Sequence, residues 1–138
     1  MKSLRWFMIL VAIFGTILSA RFAYSEEEFL KKGSEGRIVF MSGGVGQTER
    51  DILKERGKAY PLKLVFSKRK GEYLSNVRVE LFDEKGKKIF TTVSDGPWLF
   101  IEPPSGIYYL EANFKGEKRT ISKFQIEKGT QKVLSIQW

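Results

Sequence analysis

The chain has no cysteine and no histidine. The missing thiols exclude disulfides, thiolate metal ligands and a lipoprotein attachment site, so the fold must be held by its core alone. The missing imidazoles remove the usual general base near neutral pH and the commonest metal ligand. Ser-His-Asp and Cys-His arrangements are impossible, and a hydrolase built on this chain would have to work with carboxylates or lysine. No metal or cofactor is expected. A long apolar run is lacking too. WFMILVAIFGTIL (Trp6–Leu18) falls short of the about 20 residues that a membrane-spanning helix needs.

That run is preceded by Lys2 and Arg5 and followed by small residues, with Ala23-Tyr24-Ser25 as a small-x-small cleavage site. The pattern is that of a secretory signal peptide over residues 1–25. The alternative is an uncleaved N-terminal anchor. The expected destination is the periplasm or the exterior. The whole chain carries 24 Lys and Arg against 16 Asp and Glu, a net +8. Lys2, Arg5 and Arg21 leave with the signal, so the mature balance is 21 against 16, or +5. This mild basicity permits weak attraction to anionic surfaces. The basic residues are scattered, so nucleic acid is not an expected partner. The densest run, Lys68-Arg69-Lys70 beside Gly71, reads as a solvated hairpin tip.

EEEFLKKGSEG (Glu26–Gly36) is charged and reads as a flexible tether over residues 26–36. Residues 37–138 read as one domain. RIVFMS begins it as a short strand. A helix is expected over 48–56, with Thr48 as N-cap, Asp51 reaching back to it, and Gly57 as the C′ residue. Its only large apolar residues are Ile52 and Leu53, which suits a sheet edge or an open end. From Tyr60 onward the apolar residues alternate with a period of two. Leu62, Leu64 and Phe66 share one face, as do Val77, Val79 and Leu81, and Tyr108, Leu110, Ala112 and Phe114. The turns DEKGK, PPSG, KGEK and EKGT separate the strands. About seven short strands joined by tight turns predict an all-β fold, an antiparallel β-sandwich or small barrel.

Several of these segments together resemble the carboxypeptidase regulatory-like domain. They are the strand VRVELFD, the turn DEKGK, SDGPWLF, and PPSGIYYLEA, which is similar to that family's Leu-Pro-Pro-Gly-x-Tyr turn and strand. The resemblance covers Tyr60 to Trp138, with Glu102 standing where the family usually has leucine. It implies a prealbumin-like (transthyretin-like) β-sandwich in a small exported bacterial protein. It also implies a non-catalytic role in binding or structure.

Four features compete for a functional reading. The glycine loop Gly43-Gly44-Val45-Gly46, between a strand and a helix, resembles a phosphate cradle. It lacks the Lys-Ser/Thr pair of a P-loop and the third glycine of a dinucleotide fingerprint. A strand-to-helix turn is the competing reading, with the joint and Arg50 as a partner surface. Trp98 is either an aromatic platform, together with Tyr73 or Tyr109, or a residue that closes the core. Trp98-Leu99-Phe100-Ile101 cannot bury both of its faces unless the helix covers one. The carboxylates Asp83, Asp95, Glu102 and Glu111 show no spacing that pairs them for catalysis. Trp138 is expected to lock the end of the sheet, the alternative being a targeting tail. The expected function is an exported domain that binds or braces an envelope protein, with no membrane-spanning mature segment. The alternative is a small-ligand or glycan module using Trp98 and nearby aromatics.

Overall fold

The computed structural model describes residues 31–35 and 38–138. The expected signal segment, residues 1–25, lies outside them. Among the described residues are nine strands and one α-helix. They are β1 (Lys31–Glu35), β2 (Ile38–Gly43), α1 (Gln47–Arg56), β3 (Leu62–Ser67), β4 (Arg78–Asp83), β5 (Lys88–Val93), β6 (Trp98–Glu102), β7 (Gly106–Phe114), β8 (Glu117–Ile126) and β9 (Lys132–Gln137). They form two sheets, one in the order β1-β2-β6-β3-β9 and one in the order β5-β4-β7-β8. No helix among them is long and apolar enough to cross a membrane.

The period-two pattern places the core as expected. Leu62, Leu64 and Phe66 from β3, Leu99 and Ile101 from β6, and Ile38 and Phe40 from β2 face Val79, Leu81, Phe90, Tyr108, Leu110 and Ala112 of the other sheet. Successive strand residues point to opposite faces, so each strand gives every second side chain to this layer. Trp138 closes one end. Its ring packs on Phe66 and Phe114 at 6.3 and 5.9 Å, one from each sheet, and its Nε1–H donates to the Glu117 carbonyl at 2.9 Å.

Several local expectations change. Residues 31–35 of the expected tether form β1, which pairs antiparallel with β2 from Lys31↔Ser42 to Glu35↔Ile38. An edge strand is recruited by backbone hydrogen bonds, so it needs no alternating apolar pattern. The sandwich is also not wholly antiparallel, because β9 runs parallel to β3. No crossover helix is required for this pair, since β9 arrives from the opposite sheet after β8. Finally, α1 starts one residue early. Its N-cap is Gly46 with no side-chain cap bond, and the Gly46 carbonyl accepts from the Arg50 N–H at 3.0 Å. Thr48 is inside the helix, and Asp51 accepts from the Gln47 side-chain amide at 2.9 Å.

Nor does α1 sit at an edge or an open end. It lies across the outer face of the sheet, where fully buried Leu53 meets Met41 of β2 and Trp98 and Phe100 of β6. Ile52, Tyr60 and Val65 pack around this second core. β6 is the middle strand, so it is buried on both faces. Gly57 follows from the same packing. It is right-handed helical at φ −71° and so is not the left-handed cap that was expected. A Cβ there would stand 2.2 Å from the Phe100 ring. Leu53→Ala should therefore destabilise the fold by about 2–5 kcal/mol. Urea denaturation measures this, and a loss below about 0.5 kcal/mol would mean that the helix adds nothing to the core.

Candidate functional site

The glycine loop is the joint by which the chain leaves β2 and returns over the sheet as α1. Gly44 has φ +97°, a conformation that side chains other than glycine rarely adopt. The neighbouring β5–β6 turn presses against this joint, since a Cβ on Gly96 would lie 2.3 Å from the Gly43 carbonyl oxygen. Buried Ser42 ties the two together. Its hydroxyl donates to the Trp98 carbonyl at 3.1 Å and accepts from the Asp95 N–H at 3.0 Å.

Arg50 locks the loop from the helix side. Nη1 donates to the carbonyls of Gly44 and Val45 at 2.9 and 3.1 Å, and Nη2 donates to the Gln47 Oε1 at 3.0 Å. The guanidinium also lies over the Tyr73 ring at 5.7 Å. The cation that would face a bound phosphate is thus engaged within the loop. Tyr73 is held by its bridge to Ser67, at the base of the β3–β4 turn that carries Lys68, Arg69 and Lys70. Lys68 pairs with Glu72 at 3.4 Å, and all of these turn residues are exposed. Val45 and Tyr73 are 65% and 50% exposed, two apolar surfaces flanking Arg50.

Gly43, Gly44, Arg50, Tyr73 and Trp98 therefore gather at one end of the sandwich. Trp98 has a different part from the others. At 6% exposure it belongs to the second core, and it meets Phe100 edge-on at 6.4 Å. Lys63 lies over it, with Nζ 3.9 Å from the ring centroid. This is the core-closing reading, because helix and lysine cover the ring that an aromatic platform would have to expose. Tyr109 is half-buried on the outer face of the other sheet, opposite Phe82, and does not join the cluster.

Two of the four candidate carboxylates, Asp83 and Glu111, serve local structure. Asp83 accepts from the Lys85 and Lys87 N–H groups at 3.0 and 2.9 Å, capping the β4–β5 hairpin. Glu111 pairs with Lys118 at 3.5 Å. Among the described residues no group of three or more acidic side chains is arranged to hold a metal ion. Two contributors escaped sequence reasoning. Val45 was hidden among the glycines as part of a turn. Lys63 lies on the face opposite Leu62 and Leu64, where a lysine ordinarily meets solvent. Its signal was its place beside Phe100 in the β3–β6 register, which sequence cannot supply.

Against known proteins, no family model matches the chain, and no curated protein shows significant similarity to it.

Burial, then the nearby charge of Lys54, lowers the pKa of Lys63 below the ordinary 10.5. The native state therefore releases this proton more readily than the unfolded chain. Its contribution to stability rises as pH climbs through the window just below 10.5, and the penalty is fully present below that window. An NMR titration of the Lys63 side chain should give a midpoint below that of an ordinary lysine, and an ordinary midpoint would contradict the packing over Trp98.

Proposed function

We propose that the chain is an exported, non-catalytic β-sandwich domain that binds or braces an envelope protein through the end that carries the glycine joint. The observation behind this reading is the cluster of Val45, Arg50 and Tyr73, two exposed apolar side chains on either side of an arginine. Tyrosine and arginine are enriched among the residues that dominate protein–protein binding energy. Hydrogen bonds from Arg50 hold the loop at Val45, and the bridge to Ser67 holds Tyr73, which lowers the entropy lost on docking. Arg69 and Lys70 stand beside them without an ion pair among the described residues. The partner surface that suits this end is apolar at its centre and acidic at its rim.

The proposed compartment rests on the signal-like residues 1–25. The carboxypeptidase regulatory-like resemblance is part of the same proposal. The strand VRVELFD, the hairpin DEKGK and the PPSG turn leading into a long strand are formed by β4, the β4–β5 connection and the β6–β7 connection. These features support a prealbumin-like arrangement with a binding or structural role. The glycan-binding alternative gains no such observation, because Trp98 is buried.

Photo-crosslinking in cells tests the docking end. A crosslinker at Val45 or Tyr73 should give one discrete protein adduct, which Arg69→Glu with Lys70→Glu weakens. The same group at Thr120, on the outer face of the other sheet, should not give it. Equal adducts from Thr120, or none from Val45 and Tyr73, would overturn the proposal.

A further inference from the structure

The opposite end of the sandwich holds a second and chemically different feature. β2 and β6 are antiparallel, so Gly43 and Trp98 mark one end while Val39 and Glu102 mark the other. At this second end lies an open cleft of about 500 Å³ lined by Ala59, Pro61, Glu102, Pro103, Pro104, Ser105, Lys128 and Gly129. The volume is within the range of small-molecule sites.

Three chain segments meet here, and each is fixed to another. The Lys132 N–H donates to the Pro61 carbonyl at 2.8 Å. The Gln131 side-chain amide donates to the carbonyls of Gly57 and Tyr60 at 2.7 and 2.9 Å. The Lys128 N–H donates to the Ser105 hydroxyl at 3.1 Å, and the Tyr108 hydroxyl donates to the Pro104 carbonyl. The walls are thus preformed, and their apolar part is Ala59 with three proline rings, of which Pro104 is exposed and Pro61 and Pro103 are buried; alanine and proline lose no side-chain rotamer freedom when covered.

The polar groups of the lining have opposite signs. The Glu102 carboxylate makes no ion pair or hydrogen bond among the described residues, and it contributes, after burial, to raising the pKa of Tyr60. On the facing turn, among the described residues, the Lys128 ammonium has no partner and the Gly129 N–H donates to no acceptor. We infer that the cleft binds a zwitterion of about dipeptide size. Its ammonium pairs with Glu102, its carboxylate is received by Lys128 and the Gly129 N–H, and its apolar side chain lies against Ala59 and Pro104, the exposed apolar residues of the lining. The inference does not rest on the docking end and can fail without it.

The test is an NMR titration of the purified protein with the free dipeptide alanyl-phenylalanine, with its N-acetylated and C-amidated form as control. The free dipeptide should produce saturable shifts of the Ser105, Lys128 and Gly129 amides, while Val45 and Tyr73 stay unmoved. Glu102→Gln and Lys128→Gln, at exposed positions that leave the remaining spectrum in place, should each weaken binding by about tenfold or more. The capped form should produce no saturable shift. Absence of saturable shifts at about 10 mM free dipeptide would overturn the inference. So would equal binding of the capped form, or variants that bind as the unaltered chain does.

Discussion

A strand that is apolar at every position cannot border water on either face. Trp98, Leu99, Phe100 and Ile101 make β6 such a strand up to its last residue, the exposed Glu102, and it stands in the middle of its sheet. Leu99 and Ile101 are covered by the other sheet in the ordinary manner of a sandwich. Trp98 and Phe100 need a third layer, which α1 supplies. Most of what is unusual in the molecule follows from this need. The chain must leave β2, turn sharply, run back over the outer face, and end close enough to Phe100 that position 57 has no room for a side chain.

The joint that makes this reversal is also where the exposed cluster stands. Gly44 supplies the left-handed turn, Ser42 and the Gly96–Gly43 approach fasten the joint to the β5–β6 turn, and Arg50 takes up the carbonyls that the turn leaves free. The same guanidinium then reaches Tyr73. A device built for packing therefore presents Val45 and Tyr73 on a fixed frame, and this links the structural need to the proposed docking end. The far end of β6 leads instead into the proline turn, so one strand connects the two surfaces with proposed roles.

Much of the sandwich was legible because alternation with a period of two depends only on which face a residue occupies. Leu62, Leu64, Phe66, Val77, Val79 and Leu81 all fall where that rule puts them. The two-faced apolar strand also announced that something must cover it. The position of the cover was harder to read. Leu53 is the one fully buried side chain that α1 contributes, and Met41, Val65 and Tyr60 complete the layer from the sheet and from the segment after the helix. A helix with two apolar residues looks peripheral when those partners are unknown. Gly57 was misleading because a left-handed cap and a lack of room leave the same letter in the sequence. The direction of β9 was hidden, since alternation says nothing about a strand's neighbour. Trp98 could be assigned to a face, but whether that face was covered depended on contacts distant in sequence.

The role of α1 as the obligatory third layer is tested most directly by native-state hydrogen exchange. Amides of α1, including that of Leu53, should open with the same free energy as those of β6, since neither element can stay folded without the other. Fast exchange throughout α1 while the Leu99 and Ile101 amides remain protected would show that β6 keeps its place uncovered, and would contradict the dependence of this fold on its helix.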